Sequence, residues 1–185
     1  MGYAMKGSPR WKQAAIDADV SVENIARIFS PVVGVKINKS DTPEIWDMLQ
    51  DLLKTGGYHA TAAAKEYYMR PRPFVVFEHR TCCPEDEDLL RKNGSCPSGH
   101  TACDTLLAFV LSRAKPERAR ETARRGREFG QSRMICGAHW QSDADAGRYA
   151  GAVEFARLQT IPAFQTSLET FVRNSMIKNS LTVDK

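Results

Sequence analysis

With 185 residues and 42% hydrophobic content, the chain can bury one substantial core and is too short for two ordinary domains. Its longest apolar run, Thr105 to Leu111, falls far below the roughly 18 to 20 residues of a membrane-spanning helix, which excludes a span. The net charge of +4 gathers in Arg113 to Arg127 without interleaved aromatic side chains, the pattern of a solvated helix face and not of a nucleic-acid groove.

A single domain over 1–185 is therefore expected, with 1–40 as an N-terminal segment that carries few signals. Met1 to Lys12 hold two lysines, one arginine and no apolar block, so no secretory leader is read there. Thr42-Pro43 marks a helix start, and Ile45, Leu49, Leu52 and Leu53 follow at helical spacing until Gly56-Gly57, where the helix is expected to stop. An Ala-rich helix should run from about His59 to Met69, ended by Pro71 and Pro73. Residues 74–96 read as mostly loop, with a short apolar piece at Phe74 to Phe77.

From His100 the chain is apolar on nearly all sides through Leu111, as in a helix at the centre of a bundle. Between Glu117 and Met134, one stripe collects Ala119, Ala123, Gly126, Phe129 and Arg133, so Arg133 alone among the arginines of that stretch faces inward. A further helix is expected to begin near His139 and run toward Leu158, with Ala144, Gly147, Ala150 and Gly151 small enough for a close neighbour. A last one follows Pro162, with Phe164, Leu168, Phe171 and Val172 as its apolar face. No series of alternating strands occurs, so the fold class is all-α, a helical bundle.

Three groupings carry chemistry. His139 and Asp143 lie four apart, a spacing at which a carboxylate holds one imidazole nitrogen and leaves the other free to attack. Gly94-Ser95-Cys96-Pro97-Ser98-Gly99-His100 leads into a helix N-terminus, where free N–H groups cradle an anion and His100 can exchange a proton with it. Lys65 and Arg72, seven residues or about two helical turns apart, join inward-facing Arg133 as converging cations, and buried cations together call for an anion such as phosphate. Cys82, Cys83, Cys96, Cys103 and Cys136 are odd in number and form no CxxC pair, so a zinc site is not expected and the pairing stays open.

Lys65 and Arg72-Pro73, then Pro97-Ser98-Gly99-His100, then Ser132-Arg133, His139 and Asp143 together resemble the three-part signature of the phosphatidic-acid-phosphatase type 2 and vanadium haloperoxidase superfamily. Residues 41–164, with Tyr67-Tyr68-Met69, Gly130-Gln131-Ser132-Arg133, Cys136-Gly137 and His139-Trp140-Gln141-Ser142-Asp143, look like the bacterial class A nonspecific acid phosphatases. The resemblance implies metal-independent hydrolysis of phosphate monoesters, nucleotides among the candidates, through a phosphohistidine. In that scheme His139 is the nucleophile, Asp143 orients it, and His100 protonates the leaving alcohol and then activates water. Lys65, Arg72 and Arg133 hold the phosphoryl oxygens with the Ser98 hydroxyl and the Gly99 N–H.

The resemblance further implies no cofactor, inhibition by phosphate or vanadate, a homo-oligomer and a periplasmic location, with neither nucleic acid nor membrane as partner. Two positions depart from the family pattern: Cys96 and Ala138 stand where rings usually precede the Pro-Ser-Gly-His motif and the nucleophile, which should open the rim of the pocket. The rival readings are a vanadium haloperoxidase, whose site would bind vanadate with the same residues, and a noncatalytic anion or nucleic-acid module built on the arginine run.

Overall fold

The computed structural model of the protein describes residues 3–180, so 1–2 and 181–185 of the expected domain lie outside the described residues. The expected all-α class is observed: among those residues there is no β-strand, and no helix is long and apolar enough to cross a membrane. The helices are α1 (Pro9–Ile16), α2 (Val22–Val33), α3 (Pro43–Leu52), α4 (Ala62–Tyr68), α5 (Pro73–Val76), α6 (Glu87–Arg91), α7 (Gly99–Ala114), α8 (Ala119–Ile135), α9 (Gln141–Leu158) and α10 (Pro162–Ser180).

The sparsely marked N-terminal segment is structured. Ser21 caps α2 by accepting from the Asn24 N–H, and Gly34, at φ +71°, ends it in the left-handed conformation that glycine adopts without steric cost. Ile25, Phe29 and Val33 of α2 share one buried core with Leu106, Leu107, Val110 and Leu111 of α7, Ile45 and Leu49 of α3, Phe129 of α8 and Leu168 and Phe171 of α10. The α10 face is the one read from its spacing.

α7 is the central helix, flanked by α8 and α9. The small residues of α9 do bring it close: a Cβ on Gly147 would stand 2.5 Å from the Ser98 carbonyl oxygen, and one on Gly151 would overlap the Ala102 carbonyl. On α8 the buried face is Thr122, Gly126, Phe129, Gly130 and Arg133, while Ala123 is exposed. The inward turn of Arg133 is thus observed, with the stripe rotated by one position at its start.

Three expected boundaries shift. Gly56-Gly57 do not stop α3; the chain widens into a π turn over Leu53–His59, and a Cβ on Gly56 would press to 2.7 Å from the Leu106 side chain. Gly56 serves close approach to α7. Residues 74–96 hold two short helices, α5 and α6, joined by a 3-10 turn at Pro84–Asp86. α9 begins at Gln141, so His139 precedes that helix.

Candidate active site

The peptide that carries His139 bridges two long helices. Gly137, at φ +82°, reverses the chain after α8, and the N–H groups of Ala138 and His139 both donate to the Arg133 carbonyl, at 3.0 and 3.3 Å. Asp143, in the first turn of α9, accepts the Trp140 N–H at 2.9 Å on Oδ2, and the same oxygen lies 3.4 Å from His139 Nδ1. The His139/Asp143 pairing read from the spacing is therefore present, made at a helix N-terminus and not along one helix face. The Nδ1 contact is long and lacks hydrogen-bond alignment. Asp143 Oδ1 takes a 2.7 Å bond from Arg70, a residue the sequence reading passed over.

On its other side, His139 Nε2 stands 3.0 Å from Arg72 NH1. A guanidinium only donates, so Nε2 holds the lone pair and the ring proton sits on Nδ1, toward Asp143. Burial pulls the His139 pKa down to about 3; Asp143 opposes this, and Arg72, Lys65 and Arg133 add to it. Burial pushes the Asp143 carboxyl up, but the adjacent His139 imidazole and the hydrogen bond from the Trp140 N–H outweigh it and hold the group below its ordinary value. The imidazole is neutral and held in one tautomer, with its lone pair on Nε2.

The three cations converge, though not by the expected helical register. α4 ends at Tyr68, Met69 turns left-handed, and Arg72 lies beyond it on extended chain. Lys65 Nζ donates to the Gly94 carbonyl at 2.8 Å. Arg72 donates to the carbonyls of Leu90, at 2.9 Å, and Ala138, at 3.1 Å, and to Asn93 Oδ1 at 3.1 Å. Arg133 is 1% exposed, and its Nε and NH1 have no partner. None of the three forms a salt bridge among the described residues, the nearby Asp143 being taken by Arg70. Burial, then Arg72, lowers the Lys65 ammonium to about 7; burial, then Arg133, lowers Arg72 to about 10. Buried, mutually repelling cations without counter-ions constitute an anion site.

Ser98 caps α7: its hydroxyl oxygen accepts from the Thr101 N–H at 3.2 Å and from the Thr101 hydroxyl at 3.0 Å. Gly99 lets the π turn approach, since a Cβ there would stand 2.5 Å from the Gly57 carbonyl oxygen. His100 Nε2 lies 2.9 Å from the Ala18 carbonyl, which can only accept, so Nε2 carries the proton and Nδ1 is the basic nitrogen. Burial and Arg133 hold His100 well below its usual pKa, against the bond to Ala18.

Lys65, Arg72, Gly99, His100 and His139 line one cavity of about 570 Å³, while Ser98, Arg133 and Asp143 stand behind its wall. His139 also borders a second cavity, of about 670 Å³, walled by Trp11, Phe74, Phe77, Met134 and Trp140. Arg72, the partner of Nε2, borders only the first. Ala138 is fully buried, so it does not open the rim as expected; Cys96 is half-buried.

Cys82 and Cys136 form a disulfide that ties the loop before α6 to the end of α8, three residues from His139, leaving Cys83, Cys96 and Cys103 free. Cys82, Cys83 and Cys136 bring three sulfurs together, but two of them are bonded to each other. Asp104 of α7 is 0% exposed with both carboxyl oxygens unpartnered, and burial and Asp17 push its pKa well above the usual carboxylate range. Its place inside an apolar helix gave the sequence no signal of a polar layer beside Arg133.

The PAP2 superfamily profile matches residues 52–164. A non-specific acid phosphatase of Salmonella typhi is 76% identical over 180 residues, covering 97% of this chain and 72% of that protein. One from Providencia stuartii is 45% identical over 168 residues, 91% of this chain and 68% of that protein, and an acid phosphatase of Zymomonas mobilis is 34% identical over 165, 89% and 62%. Alike in sequence across nearly its whole length, the chain belongs to the PAP2 superfamily, as one of its bacterial class A non-specific acid phosphatases.

Proposed function

We propose that this chain hydrolyses phosphate monoesters, with broad specificity that includes nucleoside monophosphates, through a phosphohistidine on His139 and without a metal ion. The observation that carries the reading is the neutral, single-tautomer imidazole of His139 set among three buried cations with no counter-ion among the described residues. A phosphoryl group supplies that counter-ion. Its arrival shifts the Arg72 N–H from Nε2 to a phosphoryl oxygen, which frees the lone pair at the moment the electrophile is in place. Arg133 Nε and NH1 gain the partners they lack, and Lys65 and the first-turn amides of α7 hold the remaining oxygens.

Nδ1–H becomes more acidic as Nε2 bonds to phosphorus, and Asp143 stabilises the resulting cation. His100 is the group placed to protonate the departing oxygen, through Nδ1, because Nε2–H is held by Ala18. In the empty site it is neutral, so its proton comes with the ester or is taken up as the phosphoryl charge offsets Arg133. That requirement gives a bell-shaped rate with an acidic to near-neutral optimum. Ser98 acts by fixing the first turn of α7. Three fixed cations stabilise the spread negative charge of phosphoryl transfer, which is mostly a matter of positioning and electrostatics. The same charge set supports inhibition by phosphate and vanadate.

The Cys82–Cys136 disulfide supports an oxidising compartment, in line with a periplasmic location. Exposed Tyr149 and Val153, one turn apart on α9, support self-association.

Rapid quench with p-nitrophenyl phosphate tests the mechanism. His139→Ala should be inert. His100→Ala should still load phosphate onto His139, since nitrophenolate leaves without a proton, and then accumulate an acid-labile, base-stable phosphoprotein as hydrolysis slows by about 10² to 10⁴. Inversion at phosphorus with no labelled protein would replace the covalent route by direct attack of water. Activity that is lost to a chelator and restored by a divalent cation would refute metal independence.

A further inference from the structure

The cavity that holds His139 Nε2 has a second half that phosphate does not need. In-line displacement sends the leaving oxygen away from Nε2, past His100. Val20, two residues after the Ala18 carbonyl that anchors His100, and Leu53, the first residue of the π turn packed on Gly99, line the cavity together with His100. Ala62, Met69, Leu89 and Leu90 continue this wall to the opening. Among the described residues the two imidazoles are the only rings that line it, and the described lining is otherwise aliphatic or polar. The charges at the mouth, Glu66 and Lys92, are of opposite sign and exposed.

Two of these residues are held where a hydrophobic side chain needs a reason. Met69 has φ +39°, a left-handed conformation that glycine takes more cheaply, and its side chain is half exposed at the cavity edge. Leu89 is 72% exposed on the short helix α6, at the same edge. An apolar wall that continues from the phosphate site to solvent is a subsite for the ester's alcohol, and its lining selects hydrocarbon over hydroxyl.

Resting on the acid phosphatase reading above, we infer that Val20, Leu53, Ala62, Met69, Leu89 and Leu90 form a leaving-group subsite for saturated chains, which makes phosphate monoesters of apolar alcohols the preferred substrates. Glycerol and sugar phosphates turn over less efficiently because their hydroxyls lose water against these six apolar side chains, while the acceptors of the lining, Thr61, Glu66 and Asn93, lie outside this set. Nucleoside monophosphates are accepted without stacking.

The test is a series of n-alkyl phosphates from methyl to hexyl, with glycerol 1-phosphate alongside, read as kcat/KM. Each methylene should raise kcat/KM about fourfold until the chain reaches solvent. In Leu89→Asn and Met69→Ser the rise should shrink to about twofold per methylene. The matching alkylphosphonates, which cannot be hydrolysed, should show the same dependence in their dissociation constants. Equal kcat/KM across the series in an active enzyme overturns the subsite alone. A rise that both variants leave unchanged overturns its assignment to this wall. No turnover of any ester overturns the acid phosphatase reading, and the phosphonate constants then decide the subsite: a chain-length dependence supports it and a flat series overturns it.

Discussion

Lys65 offers the most direct check on the charge balance of the empty site. Burial and the adjacent Arg72 bring its ammonium down to about 7, so at pH 8 only about one lysine in ten keeps its proton. A bound dianion restores the proton. Sulfate suits the experiment, since it carries two negative charges throughout this range and fits a tetrahedral site. Binding at pH 8 should take up about 0.9 proton per site, and affinity should fall about tenfold for each pH unit above 7, or about 1.4 kcal/mol. Titration calorimetry in buffers of different ionisation enthalpy reads the uptake directly. His139 and His100 are held far below pH 8 and do not contribute at that pH. In Lys65→Met, binding should weaken, uptake should vanish and the pH dependence should flatten. For the empty protein the sign is opposite: the unfolded chain keeps a lysine proton that the folded chain lacks, so stability rises as pH climbs from about 7 toward 10.5. Uptake below about 0.2 proton at pH 8, or an equal slope in Lys65→Met, refutes the reasoning.

Asp143→Asn removes the negative charge behind His139 and leaves one oxygen where two accept from the Trp140 N–H and Arg70; kcat on p-nitrophenyl phosphate should fall by about 10² to 10⁴ with little change in KM, and an unaltered phosphoenzyme burst would rule out the positioning role. Asp104 has a folded pKa well above its ordinary value, so the protein loses stability as pH rises through about 4, where the unfolded carboxyl ionises. Asp104→Asn should therefore raise Tm at pH 7, by about 2 to 4 °C per kcal/mol recovered, and make little difference at pH 4; an equal shift at both pH values would contradict this. The Cys82–Cys136 disulfide closes a loop of 54 residues in sequence separation, so reduction should cost about 4 kcal/mol in chemical denaturation. Thiol titration of the denatured chain should give three groups before reduction and five after.

The sequence disclosed the chemistry more readily than the geometry. The inward turn of Arg133 followed from helical periodicity, and the glycines of α9 from their small size, because both are properties of a single helix. Convergence of Lys65 and Arg72 was legible, but its cause was not: the turn at Met69 depends on Gly94, where a Cβ would collide with the Lys65 carbonyl, a contact between segments far apart in the chain. The same limit explains Gly56-Gly57, which look like a stop until α7 is seen against them. Ser21 and Gly34 cap α2, but residues 1–40 carry no chemical motif beside them. Arg70 and Asn93 act through partners brought near by folding, and Asp104 meets the charges of Asp17 and Arg133 only in the folded chain; no local spacing announces them. The Cys82–Cys136 pairing belongs to the same class.

Asp143 joins two jobs in one carboxylate: Oδ2 locks the first turn of α9 through the Trp140 N–H and faces the His139 imidazole. α9 in turn lies on α7 at Gly147 and Gly151, beside the Ser98 carbonyl that accepts the Ala102 N–H of the helix bearing His100. The His139–Asp143 pair is therefore assembled only while these two helices are docked. Partial loosening that undocks α9 and leaves its own hydrogen bonds intact would silence the enzyme while helicity persists. In mild denaturant, turnover should fade ahead of the circular dichroism signal, which makes catalysis the finer gauge of this protein's integrity.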